Sequence, residues 1–420
     1  MQARGLLRRI AQMNLTMRWV GYDERPRVAL AREQCYAMAG KEHDRYLELI
    51  DSDDRARPGD YLLAEHEGGA VGTATSYSMS MWVRGGRIPC QAVAWVGAVK
   101  THRRRGGAGD GVASQVVREL LRMARERQET VSALMPFRGS FYEHFGYGIV
   151  ERQCVWTVPL AVLPAGPFHG IDFMQAADLP ALAAVRQRHV QRGQCDIERS
   201  PASWSVHLKK WEDGQVVVDK TPEGAIRGYL AFRHAQRFDK DYAMATEIGY
   251  DDPASFRRLL HFLESLRDQY GFATLTLPAD LPFNRLLRET QAPHRPVNHP
   301  HAEMRWNTRM QVRVLDHAKL VEAMRFPAER SGRAVVSVQE TEGHESRFSL
   351  DISQGRASAA PSAASPDLEC TDRTWAAIIT GDLPVATAMQ WGLATVRNER
   401  AVEALSVLSH GPAPFCQEYF

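Results

Sequence analysis

The stretch best suited to hold a phosphate is Arg103-Arg104-Arg105-Gly106-Gly107-Ala108-Gly109-Asp110-Gly111. Glycine lets backbone N–H groups approach an anion closely and point the same way, and arginine adds charge-assisted hydrogen bonds. Downstream, Phe141-Tyr142-Glu143-His144-Phe145-Gly146-Tyr147-Gly148 offers Tyr142, a phenol with a pKa near ~10 that can exchange a proton with an alkyl thiol at little cost. The chain ends Phe415-Cys416-Gln417-Glu418-Tyr419-Phe420, aromatic where termini are usually polar and frayed. Taken singly, the arginines read as a solvated basic turn, the Phe-Tyr pair as core and the tail as packing on its own domain. Together, and at this separation, they read as a site.

The elements around them suit that reading. Ala94-Trp95-Val96-Gly97-Ala98-Val99 is a buried strand by its apolar run. Val112, Val116, Val117, Leu120, Leu121 and Ala124 repeat at helix spacing. Val131 to Met135 reads as the next strand. Strand, basic glycine turn and helix make a phosphate cradle, because the free N–H groups at a helix start attract anions. No Gly-Lys-Ser/Thr closes the turn, so it is not a Walker A loop, and its arginines precede its glycines, unlike a dinucleotide fingerprint. Whether Gly106 or Gly111 begins the helix is open at this point.

Arg103-x-x-Gly106-x-Ala108 matches the Arg/Gln-x-x-Gly-x-Gly/Ala signature of the GNAT acetyltransferases. The segment Phe141-Tyr142-x-x-Phe145-Gly146-Tyr147 resembles their catalytic-tyrosine segment. In combination these motifs resemble the Eis (enhanced intracellular survival) family of N-acetyltransferases, although this chain carries a longer turn after its arginines. The resemblance implies acetyl-CoA as co-substrate and no metal. It implies that Val96, Ala98, Val99, Arg103, Arg104, Gly106, Gly107 and Ala108 hold the cofactor. It also implies that the terminal carboxylate, on Phe420, is the base and that a homo-hexamer forms. Phe137 stands where the family often has a small polar residue.

The fold class expected is α/β (α+β): tandem GNAT domains, the second without a cofactor site, then a sterol-carrier-protein-like α+β domain. The boundaries are 1–15 for an N-terminal extension, 16–154 for the catalytic domain, 155–304 for the degenerate copy and 305–420 for the last domain. The second domain repeats the first weakly. Its turn after Thr246 to Tyr250 is Asp251-Asp252-Pro253-Ala254, whose carboxylates repel a pyrophosphate. The Pro/His-rich stretch Ala292 to Ala302 reads as a stiff connector rather than a metal site. In the third domain, Arg305 to Val314 reads as a strand, Asp316 as a helix cap, Gln354 to Pro366 as a loop, and Val385 to Val396 as helical.

Composition sets the outer limits. With 420 residues the chain has ample core for several domains. Net charge is +2, so no global field points to nucleic acid. Six scattered cysteines without a Cys-x-x-Cys pair fit a reduced cytoplasm. No apolar run reaches ~18 residues, so no membrane span is expected. The basic amphipathic stretch Met1 to Leu15 reads as a surface helix or frayed extension.

Acetyl transfer from a thioester to an amine needs a deprotonated amine, a polarised carbonyl and a proton for the thiolate. The expected assignment gives Tyr142 the acid role, Phe420 the base role, and backbone N–H groups near Ala98 the carbonyl. The acceptor is an amine on a small molecule (aminoglycoside or polyamine) or on a protein lysine. Glu418 adds negative charge on the substrate side or faces solvent. The rival from another class is a non-catalytic CoA- or lipid-binding protein that uses the third domain.

Overall fold

In the computed structural model, residues 14–38, 42–103, 111–237, 239–292, 301–409 and 411–420 are described. Most of the N-terminal extension, the turn from Arg104 to Asp110 and most of the Pro/His connector lie outside them. Contacts divide the chain into two units. The first comprises Met1–Met79, Pro89–Met135 and Phe420, and the second Ser80–Ile88 and Pro136–Tyr419.

The first unit opens with β1 (Thr16–Val20), α1 (Arg25–Tyr36), α2 (His43–Asp51) and β2 (Tyr61–His66). The long strands β3 (Gly69–Val83) and β4 (Gly86–Ala98) follow. Then come α3 (Val112–Glu126) and β5 (Val131–Leu134). The strand order is β1-β2-β3-β4-β5. β2 and β3 form the hairpin expected from Glu65 to Gly69, with Glu67 and Gly68 both at positive φ. α3 buries the predicted stripe, Val112, Val116, Val117, Leu120, Leu121 and Ala124.

The second unit begins with α4 (Gly139–Glu143), β6 (Gly148–Ile149), β7 (Arg152–Pro159) and β8 (Ile171–Phe173). Next are α5 (Leu179–Arg192), β9 (Asp196–Ile197), α6 (Pro201–Trp211), β10 (Gln215–Lys220), β11 (Ile226–Arg237) and β12 (Lys240–Tyr250). α7 (Pro253–Ser265), β13 (Phe272–Pro278), β14 (Glu303–Thr308) and β15 (Gln311–Val314) complete the second domain's elements. Its sheet runs β14-β7-β13-β12-β11-β10-β8. Phe256, Leu259, Leu260 and Leu263 of α7 pack on one face against Leu275 and Leu277 of β13 and Leu230 and Phe232 of β11. Alternate residues of β13, Thr274 and Thr276, face the other way and stay half-exposed, as strand periodicity requires.

The third domain holds α8 (His317–Ala323), β16 (Gly332–Gln339), β17 (Glu345–Ser353), β18 (Arg356–Pro361) and β19 (Leu368–Thr371). α9 (Asp372–Ile379), α10 (Val385–Gln390), β20 (Ala394–Val396) and α11 (Glu399–Ser406) close it. Its sheet runs β18-β17-β16-β19-β20. Asp316 caps α8 as expected, accepting from the Lys319 N–H.

Three local expectations fail. Gln354 to Pro366 is not a plain loop, because Gln354 and Gly355 take the positive φ values of a tight hairpin and return the chain as β18. The helix expected from Val385 to Val396 stops at Gln390, and Gly392 at φ 66° turns the chain into β20. Arg305 to Val314 is two strands, β14 and β15, paired with β7 and β6 respectively. All six cysteines are buried, and none forms a disulfide among the described residues.

Candidate active site

β4 is the platform. It pairs in parallel with β5 from Cys90 opposite Val131 to Val93 opposite Leu134, where β5 ends. β4 runs on to Ala98, so from Ala94 onward that edge has no β5 partner among the described residues. Its other side stays attached to β3, with the Val99 N–H donating to the Val71 carbonyl at 2.8 Å. At the fork Trp95 sits at φ 57°, a left-handed conformation rare for an aromatic residue inside a strand. Such strain costs roughly 1–3 kcal/mol and persists only where surroundings enforce it. Here the buried Arg32 guanidinium lies 4.4 Å from the Trp95 ring centre, and the Tyr36 and Tyr46 rings meet it edge-on. Arg32 also donates to Thr75 Oγ1 at 2.8 Å. Gly97 allows α1 this close, since a Cβ there would lie 2.9 Å from both Cys35 Sγ and the Tyr36 hydroxyl. Val96, Ala98 and Val99 all belong to this open-edged stretch and are buried.

Arg103 donates through Nε to the Ala98 carbonyl at 3.2 Å and through Nη2 to the Cys35 carbonyl at 2.9 Å. It thereby ties the end of β4 to the end of α1. Arg104, Gly106, Gly107 and Ala108 lie outside the described residues. The open question about the helix start is answered at its far end: α3 begins at Val112, and Gly111 is its N-cap. Glycine brings no side-chain acceptor to that position. Among the described residues no N-cap side chain accepts from the first N–H groups of this 15-residue helix, and free N–H groups at a helix start attract anions.

Tyr142 lies in the second unit, on α4, and is 4 % exposed. The rings of Phe141, Phe137 and Tyr147 surround it at 5.0, 5.8 and 6.0 Å. Burial, and then the neighbouring Tyr147, push its phenol above the ordinary value. It therefore holds its proton at neutral pH and is suited to donate it. Gly146, at φ 78°, fixes the following turn, because a Cβ there would collide with Arg313 and Asp372. Phe137 is 73 % exposed.

The end of the chain is held from Ala413 to Glu418 by the second unit. The Ala413, Cys416 and Gln417 N–H groups donate to carboxylates of Asp280, Glu151 and Asp196 at 2.9, 2.8 and 3.0 Å. The Phe415 N–H donates to the Gln194 carbonyl at 2.9 Å. Phe420, 9 % exposed, groups with the first unit, as do Val96, Ala98, Val99 and Arg103. Glu418 neither faces solvent nor lends free charge to a substrate. It is fully buried, its carboxylate 3.0 Å from Arg199 Nε and 2.8 Å from His207 Nε2. Burial works to raise its pKa, but His207 and Arg199 outweigh that and hold it at about 2. Arg199 also pairs with Glu247 at 3.0 Å, and Arg186 pairs with Asp196 at 2.6 Å.

The sequence reading missed this buried ionic cluster and missed Arg32. One signal was present for Arg186. On α5 it falls on the same buried stripe as Leu182, Val185 and Val190, where a charge needs a partner. Elsewhere in the second unit, Glu340, Glu342 and Asp372 converge within 4.8 Å, with Arg313 paired to all three.

Comparison with known proteins agrees with this layout. Residues 22–150 and 195–314 each match an acetyltransferase (GNAT) domain, and residues 318–417 match a sterol carrier protein domain. An uncharacterized N-acetyltransferase of Streptomyces avermitilis is 24 % identical over 402 residues, 89 % of this chain and 91 % of that one. One from Streptomyces griseus is 28 % identical over 386 residues, 84 % of this chain and 87 % of that one. Among solved structures, a GCN5-related N-acetyltransferase from Anabaena variabilis superimposes with a TM-score of 0.83 at 17 % identity, covering 97 % of this chain and all of that one. Eis1 from Mycobacterium abscessus gives a TM-score of 0.77 at 21 % identity, with the same 97 % of this chain and 100 % of its own covered.

Fork, open strand edge and repeated sheet thus define an N-acetyltransferase of the GNAT class. Within that class the chain carries two GNAT domains followed by a sterol carrier protein domain, and it shares its fold with Eis1 from Mycobacterium abscessus. The GNAT domains imply acetyl-CoA as co-substrate.

Proposed function

We propose that the chain acetylates amines from acetyl-CoA, with Tyr142 as acid and the Phe420 carboxylate as base. The observation that carries this reading is the open edge of β4 beyond Val93, which runs toward an α3 start with no side-chain cap. Bound acetyl-CoA supplies a thioester. Val96, Ala98 and Val99 hold the arm by backbone pairing, and N–H groups at the fork polarise the carbonyl. The Phe420 carboxylate, an α-carboxyl with an ordinary pKa near ~3.5, accepts the amine proton directly or through water. A low-dielectric site around the buried Phe420 favours a neutral amine. Tyr142 returns a proton to the departing sulfur, its phenol kept protonated by burial.

Arg103, Arg104, Gly106, Gly107 and Ala108 form the pyrophosphate cradle. The acceptor is an aminoglycoside- or polyamine-type amine, or a protein lysine. A cytoplasmic homo-hexamer, with domain divisions at 16–154, 155–304 and 305–420, goes with this reading. The test is thiol release from acetyl-CoA across a panel of amines. Arg104→Ala should raise the KM for acetyl-CoA by about tenfold, the loss of one charge-assisted phosphate contact. An unchanged KM would misplace the cradle, and no thiol release with any amine would reject the activity.

A further inference from the structure

A cavity of about 750 Å³ lies wholly in the second unit, on the sheet face opposite α7. That volume suits a metabolite-sized ligand. Strand register builds its floor in rows. Arg233 of β11, Met244 of β12, Thr274 of β13 and Thr157 of β7 stand side by side. In the next row Thr276, Val155 and Arg305 do the same across β13, β7 and β14. Arg233 therefore stands at one end of the first row, which continues past Thr157 to Glu303 of β14, and Arg305 stands at the end of the second row, with a strip of threonine hydroxyls between the two arginines. Neither Arg233 nor Arg305 has an ion-pair partner among the described residues, and both are exposed.

Two more cations, Lys210 and Arg309, lie over the Tyr419 ring at 5.5 and 5.3 Å from its centre. Of the carboxylates on the wall, Glu247 is already paired with Arg199, and Asp213 is the other. Positive charge is in excess, and the lining also offers the hydroxyl and amide groups of Thr274, Thr276 and Asn307. The remaining wall is the tail itself, Phe415 to Gln417 and Tyr419.

We propose that this cavity binds a small polyanion, a molecule carrying two or more carboxylate or phosphate groups, and that its occupant braces the tail. Planar guanidinium groups on opposite rims suit a ligand with charge at both ends. Because Lys210 and Arg309 hold Tyr419, an anion reaching them tightens the segment that leads to Phe420. The binding itself does not rest on the acetyl-transfer reading.

The experiment is calorimetric titration of the full chain with citrate and, separately, with inorganic pyrophosphate. A second titration uses the Arg233→Ala/Arg305→Ala double variant. Saturable binding of either probe is expected, weakened at least about tenfold in the double variant and by added salt. Citrate alone would mark a carboxylate ligand, pyrophosphate alone a phosphate ligand, and both together the shared charge. Absence of saturable heat with both probes overturns the proposal. So does unchanged affinity in the double variant, which would put pyrophosphate at the cofactor turn instead. Unaltered acetyl-CoA affinity in the double variant serves as the folding control. Slower hydrogen exchange at Gln417 and Glu418 with citrate bound is expected, and unchanged exchange would remove the tail from the site.

Discussion

The chain contains the same fork twice, and the two copies are used in opposite ways. In the first unit β4 and β5 part after Val93, and α3 begins at a bare Gly111. In the second domain β12 and β13 pair in parallel only from Tyr242 to Met244, while β12 continues to Tyr250 and β13 to Pro278. There the helix after the fork, α7, is capped by Asp252, whose carboxylate accepts from the Ser255 N–H at 2.8 Å. Asp251 beside it is held by Arg188 at 2.7 Å. A cavity of about 300 Å³ at this fork is walled by Tyr250, Pro278 and the tail residues Pro412, Ala413 and Phe415. The first fork carries no carboxylate cap among the described residues, whereas the second is closed by carboxylates and by the chain's own end. A repeated fold thus keeps its geometry while one turn decides what it can hold.

The sharpest way to break that comparison is stoichiometry. Calorimetry should find one acetyl-CoA per chain. Two equivalent sites would mean that Asp251 and Asp252 do not exclude the cofactor. Next in size, Tyr142→Phe and deletion of Phe420 should each lower turnover by about 10²–10⁴-fold with acetyl-CoA affinity largely kept. Because Phe420 is buried, the deletion also removes a packed ring, so its melting temperature is read alongside turnover, and the turnover loss should exceed what any unfolded fraction explains. Full turnover in the deletion variant would end the base assignment.

Glu418→Gln tests the clamp rather than the chemistry. It leaves Arg199 with Glu247 but removes the charge shared with His207. Breaking a buried pair of this kind costs about 3 kcal/mol. That loss should appear as a lower denaturant midpoint, with acetyl-CoA affinity unaltered. A variant as stable as the parent would show that the backbone bonds of Ala413, Cys416 and Gln417 hold the tail without it.

How much of this was legible beforehand follows from where the determinants sit along the chain. The strand from Ala94 and the stripe of α3 carry their periodicity within a few residues, and both were found. Gly106 and Gly111 could not be ranked as helix starts, because glycine's φ freedom is the same at either. β18 was missed because Ala and Ser dominate it. Its real signal was Gln354-Gly355, a hairpin turn that composition hides. The ionic cluster was beyond local pattern altogether: Arg199 and Glu418 lie 219 residues apart, and only the folded chain brings them together.

The smallest predicted effect separates the clamp from its surroundings by pH. Glu151 Oε1 accepts from the Cys416 N–H at 2.8 Å and from Gln153 Nε2 at 2.6 Å, and Gln153 reaches on to the Cys416 carbonyl. Burial raises the carboxyl from 4.5 to about 7, against the lowering effect of those two hydrogen bonds. Between these values the folded chain keeps a proton that the unfolded chain has lost, so raising the pH works against folding. The contribution is whole below pH 4.5 and is lost as pH rises through 7. Glu151→Gln keeps an acceptor for Cys416 and cannot titrate. The parent should therefore lose about 2 kcal/mol relative to this variant between pH 5 and pH 8, read from paired denaturation curves. Parallel curves across that range would mean that Glu151 is ionised in the folded state throughout, and that the second fork grips the tail by charge alone.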